Sequence, residues 1–454
     1  MGKIVFKIAI LAFFVSQPIL AFANSMPNAK QLEEHLLWRI KITTNPGSLS
    51  APLDGDQAAN LLDELKYDSL ADMDSAKLTS AKLTVHPWSD SYWPIYLGEL
   101  ANRYADPHYP ASNNWDENKN YILEHMGKDG MQNYSAAEKY DLLLGDENFS
   151  LTKAMVNDGE QSKGADGKVE TWMGICHGWS PASFMLDRPR KMVSVKSVNN
   201  TELLFYPSDI KGLASLLWAN ANVSTRFIGG RCEEKNPRRD HYGRPINIDC
   251  LDNNPATWHL AVVNQIGYAK RSFVIDATYD YEVWNQPVLG YEYSYFDIRS
   301  KKPVSNLPAA LIDVEKYPND KFKKLRAPGT KFLVGVSMKL TYVSETQPNT
   351  HSEDSDTNDA NTTVNYQYDL ELNAAGKIIG GEWYSEGHPD FLWQPVSGSE
   401  ARSAGDEQLD NSGDTSEWKN GEALPASWKT AGAKASTYRQ PLVRIVKGLI
   451  QAAQ

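Results

Sequence analysis

The chain has 454 residues, 41% hydrophobic and 23% charged, so it is long enough to bury a large core and its bulk is not disordered. Its net charge of −11 argues against a general electrostatic attraction to nucleic acid or to an anionic membrane. Three cysteines are too few for a disulfide scaffold, and an odd number in an exported protein leaves at least one thiol unpaired. Proteins or neutral polymers are therefore the expected partners.

The N-terminus has the features of a secretory signal peptide. Lys3 and Lys7 precede an apolar run over residues 8–15, and Ala21-Phe22-Ala23 is the small-x-small pattern that signal peptidase cuts. The run is shorter than the roughly 18–20 apolar residues that a membrane span needs. We predict cleavage between Ala23 and Asn24, a secreted or periplasmic product, and no membrane contact after cleavage.

Composition divides the rest of the chain into four segments. Residues 24–87 are polar with helical patches and form either a helical cap or a pro-region. Residues 88–328 form the predicted core, in which Pro207-Ser208-Asp209 begins a capped helix. Apolar residues alternate with small or polar ones from Phe332 to Tyr342, which predicts a β-rich extension over 329–396. Residues 397–454 are predicted to be a polar linker and a short C-terminal helix.

Cys176 lies in an unusual setting for a core cysteine, in the run Gly174-Ile175-Cys176-His177-Gly178-Trp179. The flanking glycines would let a substrate backbone come close to the sulfur. Ser180-Pro181 predicts a helix that starts just beyond the thiol. A helix N-terminus favours the thiolate, which is the nucleophilic form of cysteine. The alternative is a cysteine that serves only as a small buried hydrophobe.

A second segment supplies a candidate base. Two short apolar runs, 257–263 and 272–276, flank a turn that contains Gly267, which predicts a β-hairpin. A hairpin symmetric about this turn places His259 opposite Asp276, so that the carboxylate fixes the imidazole tautomer. The free ring nitrogen would then accept the proton of a thiol, as in covalent acyl transfer. The register is inferred, and a slip of one residue would separate the two side chains.

At these residues the sequence resembles the transglutaminase-like superfamily, in which Cys, His and Asp follow one another along the chain and the Asp lies in a context like Val274-Ile275-Asp276-Ala277-Thr278. The closer resemblance is to the secreted transglutaminase elicitor family of oomycetes and their bacterial relatives. The run Val283-Trp284-Asn285-Gln286-Pro287-Val288 with Gly290 is similar to the start of that family's elicitor peptide, although Leu289 replaces an expected basic residue. The resemblance extends from about Trp88 to Trp393.

The resemblance implies an α+β fold with a papain-like or transglutaminase-like core. A helix that follows the nucleophilic cysteine would pack on an antiparallel sheet that carries His and Asp. Cys176 would attack the γ-carboxamide of a protein glutamine, His259 would act as base and acid, and Asp276 would orient it. A lysine or a small amine would resolve the thioester into an isopeptide bond.

The tryptophans near these residues are candidates for the walls of a substrate channel that limits water access to the thioester. They are Trp172, Trp179, Trp258 and Trp284. For any one of them, a place in the core is the simpler interpretation.

The family also implies calcium dependence in some members. Asp249, Asp252 and Asn253, together with Asn247, could supply oxygen ligands, but a polar loop explains them equally well. Cys232 and Cys250 lie near these residues in a charged loop, and in an oxidising compartment we predict a disulfide between them. Closing this loop would stabilise the fold by roughly 3 kcal/mol.

Two other functions remain open at this point. A cysteine peptidase or a glutamine deamidase would use the same triad, because only the nucleophile that reaches the thioester differs. A non-catalytic, elicitor-like binding protein would keep the fold for recognition, although binding alone does not require a complete set of Cys, His and Asp.

Overall fold

The computed structural model describes residues 52, 55–128, 130–240, 245, 247, 250, 253–278, 281–384, 387–419 and 421–454. The predicted signal peptide, residues 1–23, lies outside the described residues. The α-helices are α1 (Ala58–Leu61), α2 (Leu70–Ser75), α3 (Trp115–His125), α4 (Ala136–Leu144), α5 (Ser150–Gln161), α6 (Cys176–Met185), α7 (Pro207–Asn220), α8 (Pro255–Val262), α9 (Leu307–Ala310), α10 (Ala404–Asn411), α11 (Trp428–Ser436) and α12 (Val443–Ala452).

The β-strands are β1 (Ser80–Lys82), β2 (Val193–Lys196), β3 (Glu202–Phe205), β4 (Thr225–Gly229), β5 (Val274–Asp276), β6 (Asn285–Phe296), β7 (Pro303–Val304), β8 (Ile312–Asp313), β9 (Phe332–Ser344), β10 (Ala360–Leu372), β11 (Ile378–Trp383) and β12 (Phe391–Pro395). Among the described residues, no helix has the length and apolar content that a membrane span requires.

One large sheet organises the molecule. Its strands follow the order β11-β10-β9-β6-β5-β12-β4, and the named pairs are antiparallel. One edge of the long strand β6 pairs with β9, and the other edge pairs in turn with β5, β1 and β7. Helices and antiparallel strands thus share one fold, which confirms the predicted α+β class.

The predicted β-rich extension is not separate from the core. The alternation from Phe332 to Tyr342 does form a strand, β9, but this strand pairs with β6 in the main sheet. β12 lies between β5 and β4. Because a half-buried strand shows the same alternation wherever its sheet lies, the pattern predicts the strand and not its neighbours.

The described part of the N-terminal segment is built into the same core. β1 pairs with β6 at Gly290, Tyr291 and Glu292. The Asp56 carboxylate accepts a hydrogen bond of 2.6 Å from the backbone N–H of Asn254 at the start of α8. At the other end of the chain, α10 and α11 lie within the segment expected to be a polar linker, and α12 is the expected terminal helix.

The predicted hairpin at His259 is wrong. Residues 255–262 form α8, a π-helical stretch continues it over Val263–Tyr268, and only Val274–Asp276 of the expected pair is a strand. The Asn254 side chain accepts a hydrogen bond from the backbone N–H of Ala256, and Pro255 occupies the first turn, so the helix has a strong start signal. Every residue of α8 is buried, and a short run that is apolar all round cannot be assigned by periodicity.

Candidate functional site

The thiol of Cys176 lies at the N-terminus of a buried helix. α6 begins at Cys176 itself, five residues before the predicted first helical residue, Pro181, which lies inside the helix. Sγ donates to the carbonyl oxygen of Val283 at 3.7 Å and accepts from Nδ2 of Asn285 at 3.5 Å. Cys176 is the free cysteine, and it is 4% exposed. The thiol is therefore held between an acceptor, the Val283 carbonyl oxygen, and a donor, the side chain of Asn285, which is the first residue of β6.

Burial raises the pKa of the Cys176 thiol to about 11. Hydrogen bonds from Asn285 lower this pKa, and the nearby carboxyls of Glu345 and Asp276 raise it further. The expectation that the thiolate is favoured near neutral pH therefore does not hold for the resting protein, because burial disfavours the charged form of the thiol. The thiol must lose its proton to a neighbouring group when it reacts.

Asp276 lies beside this thiol. It ends β5 and is paired directly with Asn285 across the two antiparallel strands, so both side chains point to the same face. Its Oδ1 accepts hydrogen bonds from the Trp284 backbone N–H at 2.9 Å and from the Thr278 hydroxyl at 3.1 Å. Oδ2 is buried and has no partner among the described residues. Burial raises the pKa of Asp276 to about 8.

The structure does not bring His259 to this site. Its Nδ1 lies 2.8 Å from the Tyr368 hydroxyl, and its ring packs against Tyr293 at 4.8 Å between centroids. Tyr293 lies eight residues along β6 from Asn285, which is roughly 26 Å at about 3.3 Å per residue. Burial lowers the pKa of His259 to about 3. The expected pairing of His259 with Asp276 is thus wrong, because it depended on the hairpin.

The four tryptophans divide between surface and core. Trp172 is half-buried and lines the cavity at the thiol. Trp284 is also half-buried and packs on Tyr92 at 5.3 Å beside Asp276. Trp179 and Trp258 are fully buried, and Trp258 packs against Tyr366 on the far side of α8. Of these four tryptophans, only Trp172 lines the cavity that contains the thiol.

A cavity of about 290 Å³ opens onto the sulfur. Its walls are mostly apolar and include Trp218 and Trp393, while Arg231 and Glu233 contribute charged groups. A larger cavity of about 870 Å³ lies nearby and does not include Cys176. A largely apolar cavity beside a thiol would limit the access of water to a thioester formed there.

The glycines that flank Cys176 serve packing. A Cβ on Gly174 would overlap the backbone oxygen of Tyr92, and a Cβ on Gly178 would overlap the backbone oxygen of Ser215 in α7. These glycines are required by the close approach of the protein's own backbone, and the expected approach of a substrate backbone stays a prediction.

Asn285 and Trp393 contact each other at the site and escaped the sequence-based prediction. The indole N–H of Trp393 donates to Oδ1 of Asn285 at 2.8 Å. Both residues lie within the segments that carry the family resemblance, which is the sequence signal that could have marked them as site residues. Their contact follows from strand order, since β6 and β12 both flank β5.

The predicted disulfide is confirmed, because Cys232 and Cys250 are linked in the structure. Of the proposed calcium ligands, Asp249 and Asp252 lie outside the described residues. Asn253 is buried with Oδ1 unpartnered, and Asn247 donates from Nδ2 to Glu234. The described residues contain no group of three or more His, Cys, Asp or Glu side chains able to hold a metal ion. Because two of the three proposed ligands lie outside the described residues, the calcium site stays a prediction.

Comparisons with known proteins agree with the fold. The crystal structure of the GP42 transglutaminase from Phytophthora sojae has a similar fold, with a TM-score of 0.51 and 24% sequence identity, and the match covers 82% of this chain and 94% of that one. No curated protein matches the chain. A family model described as Transglutaminase elicitor matches residues 63–409. Since this match spans well over half of the sequence, the chain belongs to the transglutaminase elicitor family.

Proposed function

We propose that this protein is a secreted protein-glutamine γ-glutamyltransferase that joins a protein glutamine to a lysine or a small amine through a thioester on Cys176. The observation that carries the proposal is the buried thiol at the start of α6, which opens onto a largely apolar cavity and lies beside a carboxyl group. Family membership supports the same chemistry, and the Cys232–Cys250 disulfide is compatible with secretion.

The reaction has two halves. Sγ of Cys176 bonds to the carboxamide carbon of the glutamine, the carbon–nitrogen bond breaks, and ammonia leaves. The amine nitrogen of the second substrate then bonds to the same carbon, the carbon–sulfur bond breaks, and the thiol regains a proton. The first half needs a group that takes the thiol proton and passes it to the departing ammonia.

We assign this proton transfer to Asp276 and not to His259. The Asp276 carboxyl is paired with Asn285 and lies close enough to raise the pKa of Cys176, whereas His259 packs near the other end of β6. Because burial raises the pKa of Asp276 to about 8, the carboxylate that can accept a proton becomes more abundant as the pH rises towards 8. We expect kcat/KM of the wild-type protein to rise over this range and then to level off.

The test combines a glutamine-containing protein with a fluorescent primary amine, with calcium and with a chelator. Wild-type protein should incorporate the amine and Cys176→Ala should not. Asp276→Asn should lower kcat by about 10²-fold or more and should lose the plateau above pH 8. Asp187→Asn, an exposed carboxyl replaced in the same way, is the matched control.

Other outcomes would contradict the proposal. Release of ammonia without incorporation of amine would indicate a glutamine deamidase, and cleavage of the backbone would indicate a peptidase. A wild-type protein with no activity at all would favour the non-catalytic, elicitor-like binding protein. An Asp276→Asn variant with an unchanged pH profile would overturn the assignment of the proton transfer.

A further inference from the structure

We infer that the side-chain amide of Asn285 is the hydrogen-bond donor that stabilises the oxyanion formed when Cys176 attacks, and that Trp393 is the positioning residue that holds this amide in its donating orientation. The inference rests on the proposed acyl transfer, because an oxyanion arises only when a thiol adds to a carbonyl group.

The hydrogen bond from Trp393 fixes the direction of the Asn285 amide. An indole N–H can only donate, so the 2.8 Å contact with Trp393 requires the oxygen of Asn285 to face the indole. The NH2 group must then face Sγ of Cys176, at 3.5 Å. Trp393 thus selects one of the two orientations of the amide, and the selected one presents N–H groups to the reacting centre.

The backbone of Asn285 is fixed relative to the helix that carries the thiol. The hydroxyl of Ser180 donates to the Asn285 carbonyl oxygen at 2.5 Å. Ser180 follows Cys176 by four residues on α6, so both face the same strand. Asn285 is also paired with Asp276 in the sheet and is 4% exposed. A donor held at these points does not need to reorganise when charge develops.

The amide of Asn285 lies on the wall of the cavity at the thiol. Cys176, Asn285 and Trp393 line the same cavity of about 290 Å³. A carboxamide that enters this cavity meets the sulfur and the amide together. The NH2 group has two hydrogens, and the contact with Sγ uses one of them. The other is available to the carbonyl oxygen of the substrate.

The role of Asn285 differs from that of an asparagine which orients a catalytic histidine. In such a site the amide oxygen accepts from an imidazole. Here the amide oxygen accepts from an indole N–H, and the amide nitrogen faces the nucleophile itself. Asn285 therefore acts on the reacting atoms directly.

The experiment compares two reactions of the same thiol. Ammonia release from a glutamine peptide passes through an oxyanion, whereas alkylation by iodoacetamide displaces iodide and forms none. We expect Asn285→Ala to lower kcat for ammonia release by about 10²- to 10³-fold with little change in KM. Its limiting alkylation rate at high pH, where the thiol is ionised, should stay within threefold of the wild-type rate.

Trp393→Phe tests the positioning role. It removes the donor that selects the amide orientation and keeps an aromatic ring, so we expect a smaller fall in kcat, of about tenfold, with the same unchanged limiting alkylation rate. Trp428→Phe is the matched control, because its indole N–H also makes a 2.8 Å hydrogen bond, to Ser416, away from the cavity. This control should retain full activity.

The outcomes separate the two proposals. If the wild-type protein neither releases ammonia nor incorporates amine, the proposed function itself fails. If the wild-type protein is active and Asn285→Ala keeps kcat within threefold, only the role of Asn285 is overturned. An equal loss in both reactions would mean that the substitution displaces the thiol, and it would also overturn the role. If Asn285→Ala does not fold, the result for Trp393→Phe decides.

Discussion

The imidazole of His259 is an example of a buried polar group with one partner. Its Nδ1 shares a hydrogen bond with the Tyr368 hydroxyl, and its Nε2 has no partner among the described residues. Burial keeps the ring neutral, because the pKa is lowered to about 3. We expect the neutral ring between Tyr293 and Tyr368 to contribute to the stability of the core and to take no part in the chemistry proposed for Cys176.

Replacement of Tyr368 by Phe should separate these two roles. The change leaves both nitrogens of His259 without a partner in a buried site, so we expect the free energy of unfolding to fall by about 1–3 kcal/mol. The rate of Cys176 alkylation should not change. Urea denaturation and alkylation kinetics measure the two quantities.

Tyr366→Phe is the control, because it removes the same atom from a tyrosine on the same strand. The Tyr366 hydroxyl makes no hydrogen bond to a described residue. A loss of thiol reactivity in Tyr368→Phe at unchanged stability would return His259 to the catalytic set.

At the scale of the element, the close packing of α6 on α7 fixes the thiol. Gly178 lies two residues after Cys176, and a Cβ there would overlap the Ser215 carbonyl oxygen and the backbone of Ala219. Backbone atoms of a packed helix cannot move aside as a flexible side chain can. The glycine therefore sets the distance between the two helices, and with it the position of Sγ relative to β6.

We expect Gly178→Ala to destabilise the protein although alanine favours helices by up to about 1 kcal/mol over glycine. Overpacking of a core costs about 1–3 kcal/mol, so the net free energy of unfolding should fall, and transfer activity should fall with it as Cys176 shifts away from Asn285. Denaturation and activity assays measure both effects. Gly55→Ala is the control, because a Cβ there meets nothing within 4 Å. A Gly178→Ala variant that is active and more stable would show that Gly178 is not needed for this packing.

The disulfide lies next to the cavity, because Arg231 and Glu233, the two residues that flank Cys232, both line the cavity wall. Under denaturing, non-reducing conditions iodoacetamide should label Cys176 alone, as mass spectrometry would show. The double variant Cys232→Ser and Cys250→Ser should lose about 3 kcal/mol of unfolding free energy, since its unfolded chain is no longer constrained. Labelling at all three cysteines would contradict the bond.

Local patterns in the sequence predicted elements better than they predicted contacts. The strand from Phe332 and the helix from Pro207 are present, because alternation and capping residues act within a few residues of the chain. The apolar run of α8 resembles a buried strand, so its periodicity does not predict a helix. Asn254 and Pro255 are the local signal that a helix starts here. The contact between Asn285 and Trp393 was beyond local reasoning, since it joins residues 108 apart in the chain.

At the scale of the whole molecule, the site depends on a sheet assembled from distant parts of the sequence. Asp276 ends β5, Asn285 begins β6, and Trp393 lies on β12, the neighbour of β5 on its other side. The described N-terminal residues pack on the same sheet through β1. The division into cap, core and extension therefore does not correspond to separate packing units, and loss of the global fold would dismantle the site.

The buried titratable groups of the molecule should also set how its stability depends on pH. Burial raises the pKa of Asp90 to about 7 and those of Asp141 and Asp276 to about 8. Since carboxyls in the unfolded chain have pKa values of about 3.9, the folded state retains protons that the unfolded state has lost. This contribution to stability is present at low pH and is lost as the pH rises through 7 to 8.

The buried histidines act in the opposite direction. Burial lowers the pKa of His177 to about 4 and those of His259 and His388 to about 3, compared with about 6.5 in the unfolded chain. Their contribution is complete above about pH 6.5 and is lost as the pH falls below it. Between about pH 4 and 6.5, the buried carboxyls and the buried histidines therefore change the free energy of unfolding in opposite directions. Above about pH 6.5, the change comes from these carboxyls and no longer from these histidines.

We therefore expect the free energy of unfolding to fall as the pH rises from about 6.5 to 8, by about 1.4 kcal/mol per pH unit for each proton that only the folded state retains. Asp90→Asn removes one such proton and keeps an oxygen that can accept from the Trp93 indole N–H, so it should flatten the slope. Urea denaturation at pH 5 to 9 measures both effects, with exposed Asp166→Asn as the control. A wild-type stability that rises between pH 6.5 and 8 would show that these carboxyls are ionised in the folded protein.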